Sequence, residues 1–155
     1  MPSSMWMLNV VSRCAALYQA DRLQGTDLKP PHCPYILTLC RCPGISQDQL
    51  AKKIFVNKSQ VTRQLTYLEQ QGYVTRAPGE DKRVLLVYPT QKAEEILPVV
   101  RGILKDWNEW LLGGFSEEEQ QQFSGLLERA KNRAASYVRG GDDLPPMASQ
   151  KEETE

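Results

Sequence analysis

The segment of residues 58–66 carries the side chains whose types and spacing best suit chemistry with a polyanion. Hydroxyls, amides and cations surround an apolar stripe that recurs at helical spacing. Such side chains reach the phosphates of DNA and the base edges in its major groove. The polar side chains that we expect to be exposed are Lys58, Ser59, Gln60, Thr62, Arg63, Gln64 and Thr66.

A second basic group lies between two strand-like runs, residues 73–76 and 84–88. The runs predict a β-hairpin whose tip carries Lys82 and Arg83, and an arginine-tipped hairpin suits the narrow, electronegative minor groove. We include Arg76, at the end of the first run, among the residues predicted to bind DNA.

The cysteines and the single histidine are the other candidates for chemistry. The spacing of His32, Cys33, Cys40 and Cys42 is not a zinc pattern, and Cys40 and Cys42 point apart on a short helix. We therefore predict no metal and no cofactor, with Cys33 and Cys40 packed inward and the thiols reduced.

An enzyme is one competing class of function. The chain has one histidine, no glycine-rich phosphate loop and no G-x-S-x-G motif, and the acids at 117–119 are typical of a helix start. We predict that the chain is not an enzyme. A winged-helix protein-interaction module without DNA binding is the stronger alternative.

Capping residues position the polar segment on the second helix of a pair. Ser46 and Gln49 form a capping box for a short helix, and Asn57 caps the next one. Gly72 stands where that helix should end. The predicted inward stripe of the second helix is Val61, Leu65 and Leu68.

Longer helices flank this region. A first helix fades near Gly25, Thr90 can cap a long helix, and Ser116 opens a final one. A short helix, a turn, a second helix and a hairpin follow the order of a winged helix-turn-helix. The predicted fold is mainly α (α+β), with a winged helix-turn-helix lobe between N- and C-terminal helices.

Composition limits the class of protein. The 155 residues are 41% hydrophobic and 25% charged, as in a globular domain, and no apolar run approaches the roughly 20 residues of a membrane span. With no leader of the secretory type, we expect a cytoplasmic protein. Residues 30–90 hold eight Lys and Arg against four Asp and Glu, whereas residues 91–155 hold eight against thirteen, which favours one face for a polyanion.

The segment from 43 to 98 resembles the core of the MarR (multiple antibiotic resistance regulator) family. The matching motifs are "ISQDQLA", "VNKSQVTRQLTYLEQQGYV", the wing "EDKR" and the "PT.KA" start of the long helix. With its flanking helices, the resemblance covers about residues 5–138. Pro89 departs from the leucine often found before the threonine, and it should stiffen the exit from the wing.

The resemblance implies a homodimeric repressor that binds double-stranded DNA at a palindromic operator. It implies an N-terminal dimerisation helix in 1–29, a DNA-binding lobe in 30–89 and dimerisation helices in 90–139. The polar, Pro- and Gly-rich composition of 140–155 predicts a disordered tail. Carried over by position, Ser59, Gln60, Thr62 and Arg63 face the major groove, Arg83 is the wing arginine, Asp81 braces it, and Lys58 and Lys82 are adjacent cations.

Family members respond to different signals, and two alternatives stay open. One is a small anionic or phenolic effector in the cleft beside the lobe. The other is a redox sensor, since Cys14 and Tyr18 resemble the cysteine–tyrosine pair of the organic-hydroperoxide repressors. The further tyrosine of those repressors falls near Leu28 here, where Tyr35 is the nearest substitute.

Overall fold

A computed structural model gives the structure of the chain, and it describes residues 1–140. The expected disorder of 140–155 therefore falls, apart from Gly140, outside the described residues. The helices are α1 Ser4–Arg22, a 3-10 turn Pro30–His32, α2 Cys33–Arg41, α3 Gln47–Ile54, α4 Lys58–Gln70, α5 Gln91–Leu112 and α6 Glu117–Val138. The strands are β1 Ile45–Ser46, β2 Val74–Pro78 and β3 Leu85–Pro89.

The chain forms two compact units, Met1–Trp110 and a second that begins at Leu111. The first unit contains the core, to which α2, α3, α4, the sheet and α5 all contribute. The members of the core that are fully shielded from solvent are Ile36, Leu39, Leu50, Val61, Leu65, Leu68, Val87, Ala93 and Val100.

The helix-turn-helix forms as its capping residues predict. The Ser46 hydroxyl accepts from the backbone N–H of Gln49 at 3.1 Å, and the Gln49 side chain accepts from the Ser46 N–H. Asn57 Oδ1 accepts from the N–H of Gln60 at 2.8 Å, so α4 begins at Lys58. Between the helices Phe55 has φ +57° and ψ +44°, the left-handed conformation that reverses the chain direction.

The sheet has a strand that the sequence did not predict. The two-residue β1 pairs antiparallel with β3, with Ile45 opposite Val87, and gives the order β1-β3-β2. Gly44 precedes it with φ +81°, and a Cβ there would lie 3.2 Å from the Tyr88 ring. A glycine is thus required both by the backbone conformation and by the close approach of Tyr88.

The long helix α5 begins differently from the prediction. The Thr90 hydroxyl does not cap the helix; it donates to the carbonyl of Gly72 at 2.6 Å, which joins the end of the wing to the end of α4. In the second unit, Ser116 and Glu119 form the predicted capping box at the start of α6. Within residues 1–140, no helix combines the length and hydrophobicity that a membrane crossing requires.

Candidate nucleic-acid interface

The polar face of α4 is exposed because the opposite face is anchored. Val61, Leu65 and Leu68 have no measurable solvent exposure, whereas Gln60 and Arg63 are exposed. Within residues 1–140, the side chains of Gln60 and Arg63 have no hydrogen-bond partner. Both are therefore available to a ligand, and the first turn of α4 adds the positive end of the helix dipole.

The two residues at the start of α4 are partly engaged. The Lys58 ammonium lies 3.3 Å from a carboxylate oxygen of Asp48, and both side chains are largely exposed. The Ser59 hydroxyl donates to Asn57 Oδ1 at 2.9 Å. An exposed pair of this kind contributes little to stability, so a phosphate can replace Asp48 as the partner of Lys58.

The tip of the hairpin between β2 and β3, the wing, presents a fixed arginine. Arg83 Nε and Nη2 donate to the two carboxylate oxygens of Asp81, each at 3.1 Å, while 90% of the Arg83 side chain is exposed. The Arg83 side-chain and backbone donors lower the pKa of Asp81. Three guanidinium N–H groups remain for a ligand, and the neighbouring Lys82 is exposed.

Arg76 does not belong with the exposed cations. Its guanidinium Nη2 donates to Glu69 and to Thr66 Oγ1, both at 3.2 Å, and its side chain is only 15% exposed. The structure therefore places Arg76, which the sequence predicted to contact DNA, as a brace between the wing and α4. An ion pair between a hairpin and a helix leaves no pattern in the sequence, so the sequence did not indicate this contact.

Sequence reasoning missed a buried anchor behind α4. His32 is 4% exposed; its Nδ1 accepts from the Lys29 N–H at 2.9 Å, and its Nε2 lies 2.8 Å from Gln64 Oε1. Its ring stacks on that of Tyr67, with the centroids 4.8 Å apart. Burial lowers the pKa of His32, partly offset by the bond to Gln64, so neutral imidazole links the 3-10 turn to α4.

The histidine and cysteines do not assemble a metal site. Both His32 nitrogens are engaged, and across residues 1–140 no three His, Cys, Asp or Glu side chains are grouped to hold an ion. Cys33 is buried and Cys40 half-buried, and burial raises the pKa of both thiols. Cys42 is half-buried, with the Lys53 ammonium 3.7 Å from its sulfur.

Cys14 and Tyr18 are not joined in this chain. Cys14 is exposed on α1, and within the described part of the chain no hydrogen bond links its sulfur to Tyr18. The Tyr18 ring instead packs on Trp107, with centroids 5.2 Å apart. Tyr35, the expected substitute, is buried with its hydroxyl unpartnered among residues 1–140.

Comparison with known proteins finds transcriptional regulators of the helix-turn-helix type. The model of the MarR family matches residues 26–84. An uncharacterised HTH-type transcriptional regulator of Bacillus subtilis (strain 168), YybA, is 32% identical over 139 residues, which cover 87% of this chain and 93% of that protein.

Solved structures share the fold over most of the chain. The crystal structure of MarR aligns with a TM-score of 0.81 and 27% identity, covering 90% of this chain and 95% of the other. A MarR-family regulator from Listeria monocytogenes in complex with 26mer DNA has a TM-score of 0.82 and 21% identity, covering 94% of this chain and 99% of the other. The observed architecture is thus a winged helix-turn-helix with flanking helices.

Proposed function

Because the chain belongs to the MarR family of transcriptional regulators, we propose that it is a cytoplasmic, sequence-specific DNA-binding repressor. In this proposal it binds a palindromic operator as a homodimer and responds to a small effector. The family comprises regulators rather than enzymes. The Listeria monocytogenes relative bound to DNA supports duplex DNA as the ligand.

The observation that carries the proposal is the pair of available groups on α4 beside the braced wing arginine. Gln60 and Arg63 are exposed without protein partners among the described residues, and Arg83 is held in a fixed orientation by Asp81. A helix with free amide and guanidinium groups suits the major groove, and a fixed arginine suits the adjacent minor groove. Lys58 and Lys82 would supply contacts to phosphates.

Exposed apolar side chains support the homodimer. On α1, Leu17 is 73% and Trp6 56% exposed, and on α5 Trp110 is 73% exposed. The second unit exposes Leu126 and Tyr137 on α6. Large apolar groups in such numbers are typical of an interface, and a two-fold dimer would present two copies of α4 to half-sites about 34–36 Å apart.

A groove within the first unit supports the effector. It has a volume of about 380 Å³ and lies between α1, α2, the helix-turn-helix turn and α5. Lys53 supplies a cation and Phe55 an aromatic ring, while Pro34, Leu37 and Leu104 supply apolar surface. This combination suits a small anionic or phenolic molecule.

The experiment is fluorescence-anisotropy titration of the protein with duplexes tiled across the region upstream of its own gene. Each titration is run at several salt concentrations, and then with a panel of aromatic carboxylates and phenols or with an organic hydroperoxide. We expect one tile to bind selectively, with log affinity falling against log salt by about 0.9 per phosphate contact. A Lys53→Gln variant should bind the tile normally and respond less to aromatic carboxylates.

The possible outcomes separate the alternatives. In one outcome, the parent protein loses DNA binding on oxidation and regains it when a thiol is added, while a Cys14→Ser variant keeps its binding. That result would identify a redox signal in place of the small effector. Binding that is absent on every tile, including tiles around neighbouring genes, would favour the protein-interaction module.

A further inference from the structure

Three hydroxyl groups on the polar side of α4 donate their hydrogen bonds within the protein. Ser59, Thr62 and Thr66 follow one another at spacings of three and four residues, so they share a stripe of the helix. The Thr62 hydroxyl donates to the carbonyl of Lys58 at 3.0 Å, and the Thr66 hydroxyl donates to the carbonyl of Thr62 at 2.8 Å. The Ser59 hydroxyl donates to Asn57. None of the three has a proton left for a base acceptor.

Thr62 is further restrained by a residue of the preceding helix. The Gln47 amide donates from Nε2 to Thr62 Oγ1 at 2.7 Å. The hydroxyl has one proton, and it donates that proton to the carbonyl of Lys58. Its oxygen therefore accepts the hydrogen bond from Gln47. A donor on one side and an acceptor on the other fix the rotation of the Thr62 side chain.

Both of these hydrogen bonds occupy the hydroxyl of Thr62, and neither involves its methyl group. The residue is exposed, but its polar atom keeps only one lone pair after the bonds to Lys58 and Gln47. Gln60 and Arg63 differ, since each keeps its polar groups without a partner among residues 1–140. The polar and apolar elements of base recognition are thus divided among neighbouring residues of one helix face.

We propose that Thr62 selects a thymine of the operator through contact of its methyl group with the C5 methyl of the base, and that Gln47 is the positioning residue that holds Thr62 in this orientation. The proposal deepens the proposed function and rests on it. Threonine methyl groups are suited to the thymine methyl, which is the one apolar feature that a base pair presents in the major groove.

The test replaces each operator thymine in turn by uracil, which lacks only the C5 methyl, and compares three proteins. Parent protein should lose about four-fold in affinity at one thymine of each half-site, the effect of removing one buried methyl group. Thr62→Val keeps the methyl group and replaces the hydroxyl by a second methyl, and it should retain this discrimination without Gln47, because a β-branched valine in a helix is confined to one χ1 rotamer by its own sterics. Thr62→Ser, which keeps the hydroxyl and loses the methyl, should bind the thymine and uracil operators equally.

Gln47→Ala tests the positioning role. It should reduce the thymine-to-uracil affinity ratio while leaving the salt dependence of binding and the unfolding midpoint unchanged, which a general structural defect would not do. Because Thr62 is exposed, both of its variants should fold, and their unfolding midpoints check this.

Four results would overturn the proposal. Discrimination that survives in Thr62→Ser, or that disappears in Thr62→Val, would assign the contact to the hydroxyl or to another residue. Selective operator binding with no effect of uracil at any position would overturn the methyl contact alone. The absence of selective binding by the parent protein would overturn the proposed function and this inference together.

Discussion

Arg76 on β2 and Glu69 on α4 form an ion pair with an N–O distance of 3.2 Å, with the Arg76 side chain largely buried and that of Glu69 about half exposed. Glu69 also accepts from the backbone N–H of Arg76 at 3.2 Å. The same guanidinium reaches Thr66 one turn earlier on the helix. The base of the wing is thereby attached to the helix that carries the candidate base-reading residues.

Arg76→Gln should lower the free energy of unfolding by about 1–2 kcal/mol, because charge-assisted hydrogen bonds at a mostly buried position are lost. Urea titration followed by circular dichroism measures this. The salt slope of DNA binding should stay at the parent value, since we assign Arg76 no phosphate. If the variant instead had a salt slope smaller by about 0.9 and an unchanged free energy of unfolding, Arg76 would contact a phosphate, as the sequence first predicted.

Arg83→Gln is the matched change on the same hairpin, at a side chain that is 90% exposed. It should alter the free energy of unfolding by less than about 0.5 kcal/mol. Binding to the operator should weaken, chiefly for duplexes with A·T-rich flanks, where the minor groove is narrow. Titrations on flanks of different composition check this, and equal losses on all flanks would contradict a minor-groove contact.

Arg63→Ala should reduce discrimination at one base pair of each half-site by about 1–3 kcal/mol, the usual contribution of an arginine paired with guanine. Competition between operators that differ at single positions measures the effect. Lys58→Ala is the control, because loss of a phosphate contact should weaken all sequences equally. If Arg63→Ala kept the base preferences of the parent, our orientation of α4 in the groove would be wrong.

The stability of the lobe should fall in acid through His32. Its pKa is lowered in the folded state, so the unfolded chain takes up the proton more readily. The contribution of neutral His32 is complete above the unfolded pKa of about 6.5 and is lost as the pH falls below it. In neutral His32, Nδ1 accepts a hydrogen bond from the Lys29 N–H. Protonation would place a second N–H there, so this bond would be lost and the two N–H groups would repel each other.

Unfolding midpoints measured between about pH 7.5 and about pH 5.5 should therefore decline in the parent. His32→Asn keeps an acceptor for the Lys29 N–H but does not titrate, so its midpoint should be lower at neutral pH and decline less steeply. An equally steep decline in the variant would assign the acid sensitivity to other groups.

The turn between α3 and α4 should favour glycine at position 55. Phe55→Gly and Phe55→Ala both remove the ring, so the difference between them isolates the cost of a Cβ at φ +57°. We expect the alanine variant to be the less stable of the two by about 1 kcal/mol in urea unfolding. Equal stabilities would mean that the turn relaxes to another conformation when the ring is absent.

The features that sequence predicted were those set by neighbours in the chain. The caps at Ser46, Asn57 and Ser116 depend on residues three positions apart, and the stripe of α4 depends on helical periodicity. Both were therefore visible before the structure. The exposure of Gln60 and Arg63 follows from the same periodicity.

The features that sequence did not predict depend on residues distant in the chain. Gln47 contacts Thr62 across fifteen positions, and His32 contacts Gln64 across thirty-two. The strand β1 is too short to show a period of its own and exists only because β3 offers it a partner. For Arg76, burial against α4 outweighed the general tendency of a cation to lie at the surface.

The small strand β1 helps to attach the wing to the helix-turn-helix. It ties the segment before α3 to β3, while Thr90 and Arg76 tie both strands of the hairpin to α4. Because these three attachments hold the base of the hairpin to the helix-turn-helix, we expect α4 and the wing to move together as one rigid unit. A signal that moves this unit by a few ångströms would remove the proposed contacts of α4 and of the wing from the duplex in a single step.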